Sequence, residues 1–275
     1  MMAFSLLIST TLFLLLTTVR AHTSEQRALR FPESQSVENY VGLAPNMTAT
    51  RAGLTICGWI RKSRENQGTF GSVAGGAWFN YGVVRKTVAD SSEILLLDGM
   101  REVYMFGASG GSSGVRTPLN TWQHNCLVWT GPHNKSLQAY VDGDLKIDLN
   151  YYTLDEWRVM SEEGAIILGQ YRQANGRMKT TTAFAGDMHD LNLFHRVLSA
   201  EDVKKMHQVG VCGQVPSELR TGILLSWSDF LGAERFGAVH EVEVDCSRWN
   251  TLRSFVGTTI TEELIEYLKV FHEEQ

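Results

Sequence analysis

The sequence predicts an all-β fold in which two antiparallel sheets form a sandwich, and three observations support this fold class. Short runs of β-forming residues recur between about residues 38 and 245, separated by Gly, Asn and Asp. These runs are not interleaved with helical periods, as they would be in a parallel α/β sheet. Hydrophobic residues make up 43% of the 275 residues, which is typical of a globular protein, and the length is enough for one large domain or two small ones.

The predicted strands follow one another at short intervals. They cover residues 54–60, 93–97, 103–106, 125–130, 137–141, 165–168 and 189–194. The strand at 137–141 leads into Asp142-Gly143, a dipeptide typical of tight hairpins. Trp129 and Trp227 are both expected on strands that face the core.

Two helices are predicted at the end of this series. The first begins at Ser199, which is followed by acidic residues and then by lysines, as a helix dipole favours. The second has a capping box at Thr259 and Glu262 and an apolar stripe of Ile260, Leu264, Leu268 and Phe271. The sequence therefore predicts a C-terminal amphipathic helical tail, which docks on its own domain or pairs with another subunit.

Charge and hydropathy narrow the functional classes. The net charge is −5 and basic residues do not exceed acidic ones, which disfavours a nucleic-acid-binding protein. Residues 1–21 predict a secretory signal cleaved after Ala21, and a short membrane anchor is the alternative. After cleavage no apolar stretch is long enough to span a membrane, so a secreted, extracellular protein is expected.

The four cysteines predict disulfides. Cys57, Cys126, Cys212 and Cys246 form an even set, and an oxidising compartment favours their pairing. Three pairings are open, and the spacing does not fit a structural zinc site.

Two glycosylation sequons agree with secretion. They begin at Asn46 and at Asn134, and both stand next to turn-forming residues. We expect both asparagines on surface loops.

Motifs for catalysis are weak. Residues 107–111 match GxSxG by letters, but they lie in a run of Gly and Ser that predicts a flexible loop. Residues 241–245 contain carboxylates at a spacing that does not fit the acid pair of a β-glucanase. A non-enzyme is predicted, and a β-glucanase-like carbohydrase is the least favoured alternative.

Residues 124–129 resemble the pentraxin signature. His124, Cys126 and Trp129 occupy signature positions, while Val128 stands where the family has Ser or Thr. Further segments before and after the signature resemble the family in the same order over about residues 28–247. They lie at 31–32, 40–45, 55–60, 140–143, 166–170, 184–191, 197–199 and 225–230. The resemblance implies a two-sheet jelly roll with one short helix over residues 28–247, and leaves residues 248–275 as the helical tail.

The resemblance also implies one disulfide pairing. It joins Cys57 to Cys126, which leaves Cys212 to pair with Cys246. Closing a loop of about 70 residues should stabilise the fold by roughly 4 kcal/mol through chain entropy.

Pentraxins hold two calcium ions, and the resemblance indicates which residues stand at those positions here. They are Asp90, Ser91, Ser92, Tyr171, Arg172, Gln173, Lys179 and Thr182. Calcium takes six to eight oxygen ligands, and Arg172 and Lys179 place positive charge where the ions would lie. We therefore expect the calcium site to be degenerate and the protein to have no cofactor. At most, one weakly bound ion of calcium, the family's cofactor, would remain.

The same loop suggests a ligand. Tyr171, Arg172, Arg177 and Lys179 would form a basic, aromatic surface for an anionic headgroup or glycan, with a solvated loop as the alternative. The resemblance implies a secreted recognition module of innate-immune type that binds glycan, phosphate-bearing or protein ligands. A structural matrix module that binds proteins is the alternative. The family's rings imply a homo-oligomer, whose contacts the C-terminal helix could replace.

Overall fold

The structure is a computed structural model. It describes residues 26–34, 36–65, 69–70, 73–74, 76–83, 92–106, 108–134, 136–150, 160, 164–173, 176–178 and 180–246. The predicted signal segment and the C-terminal helix lie outside these residues. The chain divides into two units, residues 1–243 and 244–275, and the sandwich lies in the first.

The strands of the described part follow the chain in this order: β1 (Arg27–Phe31), β2 (Tyr40–Leu43), β3 (Leu54–Lys62), β4 (Thr69–Phe70), β5 (Val73–Ala74), β6 (Ala77–Gly82), β7 (Ser92–Leu97), β8 (Glu102–Met105), β9 (Ala108–Ser112), β10 (Trp122–Trp129), β11 (Ser136–Val141), β12 (Asp144–Asn150), β13 (Ala165–Leu168), β14 (Gly186–Phe194), β15 (Ile223–Leu225), β16 (Glu234–Phe236) and β17 (His240–Glu243). The helices are α1 (Gly131–Asn134), α2 (Ala200–Gln208) and α3 (Trp227–Leu231). Short 3-10 turns occur at Thr48–Ala52, Thr180–Thr182 and Ser217–Leu219.

Two antiparallel sheets make up the sandwich. The eight-stranded sheet has the order β12-β11-β10-β3-β14-β1-β17, with β15 paired to β14. The seven-stranded sheet has the order β16-β2-β13-β6-β7-β8-β9. The predicted all-β, two-sheet fold is therefore confirmed.

The core fills the space between the sheets. Alternate residues of each strand point into it, as the pleat requires, and the outer residues alternate with them. Its buried side chains include Ile56, Ile60, Leu127 and Trp129 from the eight-stranded sheet, and Trp78, Tyr81, Ile94 and Leu96 from the seven-stranded sheet. Aromatic side chains supply much of the buried apolar surface.

The disulfide joins two neighbouring strands. Cys57 on β3 lies directly opposite Cys126 on β10, and their sulfurs are bonded. This is the pair that the resemblance implies. Cys212 and Cys246 are disulfide-bonded as well.

Helix α2 forms where the sequence predicts it. Ser199 Oγ accepts a hydrogen bond from the Asp202 backbone N–H at 3.1 Å, and the Asp202 carboxylate accepts one from the Ser199 N–H at 3.1 Å. This reciprocal capping fixes the start of the helix. Val203 and Met206 then pack against Cys57 and Cys126 on the outer face of the eight-stranded sheet.

Two expectations about local structure are wrong. The Gly and Ser run predicted as a flexible loop forms strand β9, because Phe106 adopts a positive φ of 50° and lets the chain turn back onto β8. Trp227 begins helix α3 instead of lying on a strand. The Asp229 carboxylate accepts from the Ser226 N–H at 2.7 Å, and this cap favours the helix.

Candidate functional site

The segment after β13 holds most of the residues that the resemblance singles out. Tyr171 is buried, and it packs with Ala77, Leu95 and Leu97 on the outer face of the seven-stranded sheet. The expectation that Tyr171 contacts a ligand is therefore corrected, because its side chain fastens the segment to the sheet.

Arg172 continues the same attachment. Its backbone N–H donates to Asn80 Oδ1 at 3.2 Å, and its guanidinium donates to the Gly82 carbonyl at 3.0 Å. The side chain is half-buried, and this burial lowers the pKa of Arg172. One guanidinium donor is thus used at the end of β6, and a ligand contact by Arg172 stays a prediction.

Arg177 has a different environment. The Gln173 N–H donates to the Arg177 carbonyl at 2.8 Å, and Arg172 pairs with Met178 in an isolated antiparallel bridge. These backbone contacts bring Arg177 to the surface, where it is exposed. Lys179 lies outside the described residues.

The described calcium positions do not fit calcium. Asp90 and Ser91 lie outside the described residues, and Ser92 is described as the first residue of β7 through its backbone alone. The remaining positions are Tyr171, Arg172, Gln173 and Thr182, of which Tyr171 and Thr182 are buried. This set offers no carboxylate and includes a guanidinium, whereas calcium requires several hard oxygen ligands. The loss of the calcium site stays a prediction.

The signature residues have structural roles. Trp129 lies in the core, and its ring packs edge-on against Phe106 at 5.7 Å. His124 is buried and its ring lies 5.0 Å from that of Trp59. Burial, with a smaller contribution from His207, lowers the pKa of His124 to about 3.

One cluster of potential metal ligands occurs in the described part of the chain. It consists of Cys57, His124 and Cys126, whose ligand atoms lie within 4.8 Å of one another. The two sulfurs form the disulfide, and thiolates are the form that binds metals. The two cysteines therefore link strands β3 and β10, and the cluster does not fit a metal ion.

A groove opens on the outer face of the seven-stranded sheet, beside Arg177. We call it the aromatic groove; it measures about 620 Å³ and is lined by Val37, Glu38, Tyr40, Gly176, Arg177, Met178, Phe236 and Gly237. The rings of Tyr40 and Phe236 stack at 4.2 Å with an angle of 13° between their planes.

The strands explain how this ring pair forms. Tyr40 on β2 lies directly opposite Phe236 on β16, while Val41 between Tyr40 and Gly42 points into the core. A Cβ atom on Gly42 would lie at an ordinary contact distance of 3.5 Å from the Phe236 ring, so the ring covers the outer face of β2 at this residue. Sequence reasoning missed both rings, because nothing along the chain links two strands so far apart.

Charge in the aromatic groove is mixed. Glu38 and Arg177 are both exposed at its walls, and Val37 adds an exposed apolar side chain. An apolar floor with a few charged groups is the usual construction of a ligand site. The groove can therefore hold a ligand that combines an apolar face with a charged group.

Residues considered for catalysis do not form a catalytic geometry. Ser109 lies inside strand β9, whereas a nucleophile elbow places its serine between a strand and a helix. Glu241 on β17 accepts from Arg27 at 2.8 Å and also forms an ion pair with Arg235 at 2.6 Å. The arginines lower the pKa of Glu241, so its carboxyl group is unsuited to act as a general acid.

Both sequon asparagines are exposed. Asn46 Oδ1 accepts from the Thr48 N–H at 3.0 Å and from the Thr48 hydroxyl at 2.6 Å. Asn134 ends the short helix α1. Their glycosylation stays a prediction. Within the described ranges, no helix is both long and apolar enough to cross a membrane.

Comparisons with known proteins identify the family. The family profile described as the concanavalin A-like lectin/glucanases superfamily matches residues 35–204. The chain is 28% identical to the human neuronal pentraxin receptor over 194 residues, 70% of this chain and 35% of that protein. It is 29% identical to mouse neuronal pentraxin-2 over 151 residues, 54% of this chain and 32% of that protein. The chain thus spans about a third of the length of these relatives.

Solved structures show the same fold. A heptameric SAP-like pentraxin from Limulus polyphemus matches with a TM-score of 0.61 at 17% identity, over 80% of this chain and 96% of that one. The extracellular region of zebrafish Gpr126/Adgrg6 matches with a TM-score of 0.53 at 11% identity, over 80% of this chain and 26% of that one. The family profile covers more than half of the chain, and the chain therefore belongs to the concanavalin A-like lectin/glucanases superfamily, as a pentraxin-like domain.

Proposed function

We propose that this protein is an extracellular, non-catalytic recognition module that binds its ligand in the aromatic groove without calcium. The stacked pair of Tyr40 and Phe236 beside Arg177 carries this proposal. The groove lies on the sheet face to which Tyr171 fastens the loop that holds calcium in pentraxins.

The chemistry of the groove favours a glycan that bears an acidic group. Because the two rings face each other, the pair offers its edges and one outer ring face as the apolar surface on which the C–H face of a sugar packs. Arg177 supplies donors that suit a carboxylate, sulfate or phosphate. Because a side-chain cation takes the place of the metal, binding should not depend on calcium.

A glycan array tests the proposal. The full secreted chain is applied with calcium and with EDTA, and we expect the same acidic glycans to bind in both conditions. Arg177→Ala and Phe236→Ala should each weaken binding at least about tenfold. Lys204→Ala, an exposed cation on α2, is the matched control and should bind normally. Binding that EDTA abolishes would overturn the calcium-free assignment.

A structural or adhesive module that binds proteins is the second candidate. Tyr, Phe, Met and Arg are enriched at protein interfaces, and Tyr40, Phe236, Met178 and Arg177 all line the groove. Surface plasmon resonance on immobilised collagen, fibronectin and laminin distinguishes this protein-binding function from glycan recognition. Protein binding that Phe236→Ala removes, with an empty glycan array, would favour this second function.

Secretion, glycosylation and assembly belong to the same proposal. We expect secretory expression to give a chain that starts after Ala21, with removable N-glycans on Asn46 and Asn134. N-terminal sequencing and glycosidase treatment measure both. We propose a homo-oligomer, and light scattering after size exclusion would contradict it by giving the mass of one chain.

A further inference from the structure

We propose that the chain has a second ligand pocket, on the outer face of the eight-stranded sheet, that takes a single neutral sugar ring. We call it the Trp227 pocket; it measures about 240 Å³, and the residues that line it include Asp190, Asn192, Arg220, Ser226, Trp227 and Ser228. It shares no residue with the aromatic groove.

A bulge in β14 builds the first wall. The register between β14 and β3 shifts between His189 and Asn192, and Asp190 adopts a positive φ of 47° there. Bulges re-aim side chains, and left-handed backbone is uncommon outside glycine. Asn192 lies opposite Cys57, which places the pocket on the outer face.

Hydrogen bonds hold the Asp190 side chain in this wall. Asn192 Nδ2 donates to Asp190 Oδ1 at 2.8 Å and to the Asp190 carbonyl at 2.9 Å. Asn192 is itself buried, so the amide cannot swing into solvent. The carboxylate is therefore positioned in advance, which reduces the entropic cost of binding.

Trp227 forms the apolar wall. Its indole N–H donates to the Arg27 carbonyl at 2.7 Å, and His189 packs edge-on against the ring at 5.7 Å. The indole dipole is thus satisfied inside the protein, and the ring offers the pocket an apolar surface. Ile223 and Leu231 extend this surface.

The remaining wall carries hydroxyl groups. Ser226 Oγ and Ser228 Oγ lie 2.8 Å apart, and Ser226 Oγ donates to an Asp229 oxygen at 2.8 Å. Ser228 therefore donates to Ser226, and both hydroxyls keep lone pairs that can accept hydrogen bonds from the hydroxyls of a sugar. A small pocket with a carboxylate, an aromatic wall and hydroxyl groups suits one sugar ring.

Charge balance selects a neutral ligand. Arg220 donates to the Val215 carbonyl at 3.1 Å and to Gln214 Oε1 at 2.7 Å, which holds its cation at the wall. Asp190 and Arg220 line the same pocket with opposite charges, so we expect an acidic sugar to gain little. The preference is the reverse of that proposed for the aromatic groove, and the two proposals stand independently.

Saturation-transfer NMR and calorimetry on the full chain test the pocket. The probes are the methyl glycosides of glucose, mannose, galactose and N-acetylglucosamine. We expect at least one to bind, and Asp190→Asn to weaken it at least about tenfold. Asparagine keeps the size of aspartate, tolerates the positive φ and can still accept from Asn192, so the variant should fold. Ser228→Ala is a second variant, and it should weaken binding of the same glycoside.

Phe236→Ala is the matched control and should leave glycoside binding unchanged. The proposal is overturned if none of the glycosides binds, or if Asp190→Asn and Ser228→Ala bind like the parent. It is also overturned if Phe236→Ala alone removes binding, since the ligand would then occupy the aromatic groove. An empty array for acidic glycans leaves this test unaffected.

Discussion

The aromatic groove and the Trp227 pocket use aromatic side chains in opposite ways. In the groove, Tyr40 and Phe236 stack on each other at a strand pair and remain partly exposed. In the pocket, Trp227 is buried, and hydrogen bonds hold both its indole and the Asp190 carboxylate. We therefore expect the groove to accept a larger charged ligand and the pocket to select its ligand by shape.

The largest effect should come from breaking the link between the two sheets. Lys62 on β3 pairs with Asp98, next to β7, at 2.8 Å, with both side chains almost fully buried. Lys62→Met leaves a buried carboxylate without this partner, and we expect a loss of roughly 3–5 kcal/mol in the free energy of unfolding. Urea denaturation measures it.

Lys205→Met is the control for this variant. Lys205 forms an exposed pair with Glu201 at 3.3 Å on α2, and its loss should cost less than about 1 kcal/mol. Equal losses in the two variants would show that the sheets do not depend on the buried pair.

Acid should destabilise the eight-stranded sheet. Burial lowers the pKa of His124 to about 3 and that of His189 to about 4. An unfolded histidine has a pKa of about 6.5, so below that pH the unfolded state binds more protons. Stability is complete above about pH 6.5 and falls towards these lower values, by up to about 1.4 kcal/mol per pH unit for each histidine.

Urea titrations at about pH 7.5 and about pH 5 measure this loss. His124→Gln and His189→Gln should each flatten the dependence. His189 packs on Trp227. As the pH falls, ligand binding in the Trp227 pocket should therefore weaken at a higher pH than ligand binding in the aromatic groove. A pH-independent stability, or a gain on acidification, would refute the prediction.

The two aromatic sites should respond unequally to substitution. Trp227→Phe removes the bond to the Arg27 carbonyl and leaves a small void, so we expect a loss of about 1–3 kcal/mol. Phe236→Leu removes part of a half-exposed stack and should cost less than about 1 kcal/mol. Thermal unfolding compares the two variants, and the reverse order would contradict the contrast between a rigid pocket and an adaptable groove.

Calcium should have the smallest effect. Saturating calcium is expected to change the melting temperature by less than about 1 °C, since a ligand that does not bind the folded state cannot stabilise it. Calorimetry with calcium and with EDTA provides the measurement. A rise of several degrees in the melting temperature would contradict this prediction, and it would indicate that calcium binds and can take part in ligand binding.

The sequence was sufficient for features that depend on local patterns. Helix α2 follows from Ser199 and the residues after it, and alternation predicts strands such as β3 and β14. The pentraxin signature was sufficient to pair Cys57 with Cys126. In each case, neighbouring residues or a family motif carry the information.

Features that depend on distant or strained residues were not predictable. Tyr171 reads as a surface residue, and its burial depends on Leu95 and Leu97 from another part of the chain. The bulge at Asp190 interrupts a strand whose alternation gives no sign of it. Helix α3 did carry a sign, the Ser226 and Asp229 cap, but the resemblance assigned this block to a strand.

The position of the disulfide makes it a reporter of motion. Cys57 and Cys126 are fully buried, and Val203 and Met206 of α2 pack over them. A soluble thiol must reach a sulfur atom in order to exchange with it, so reduction waits until α2 lifts from the sheet. We therefore expect the rate at which a mild reductant opens this bond in the native protein to report the opening of the covering layer.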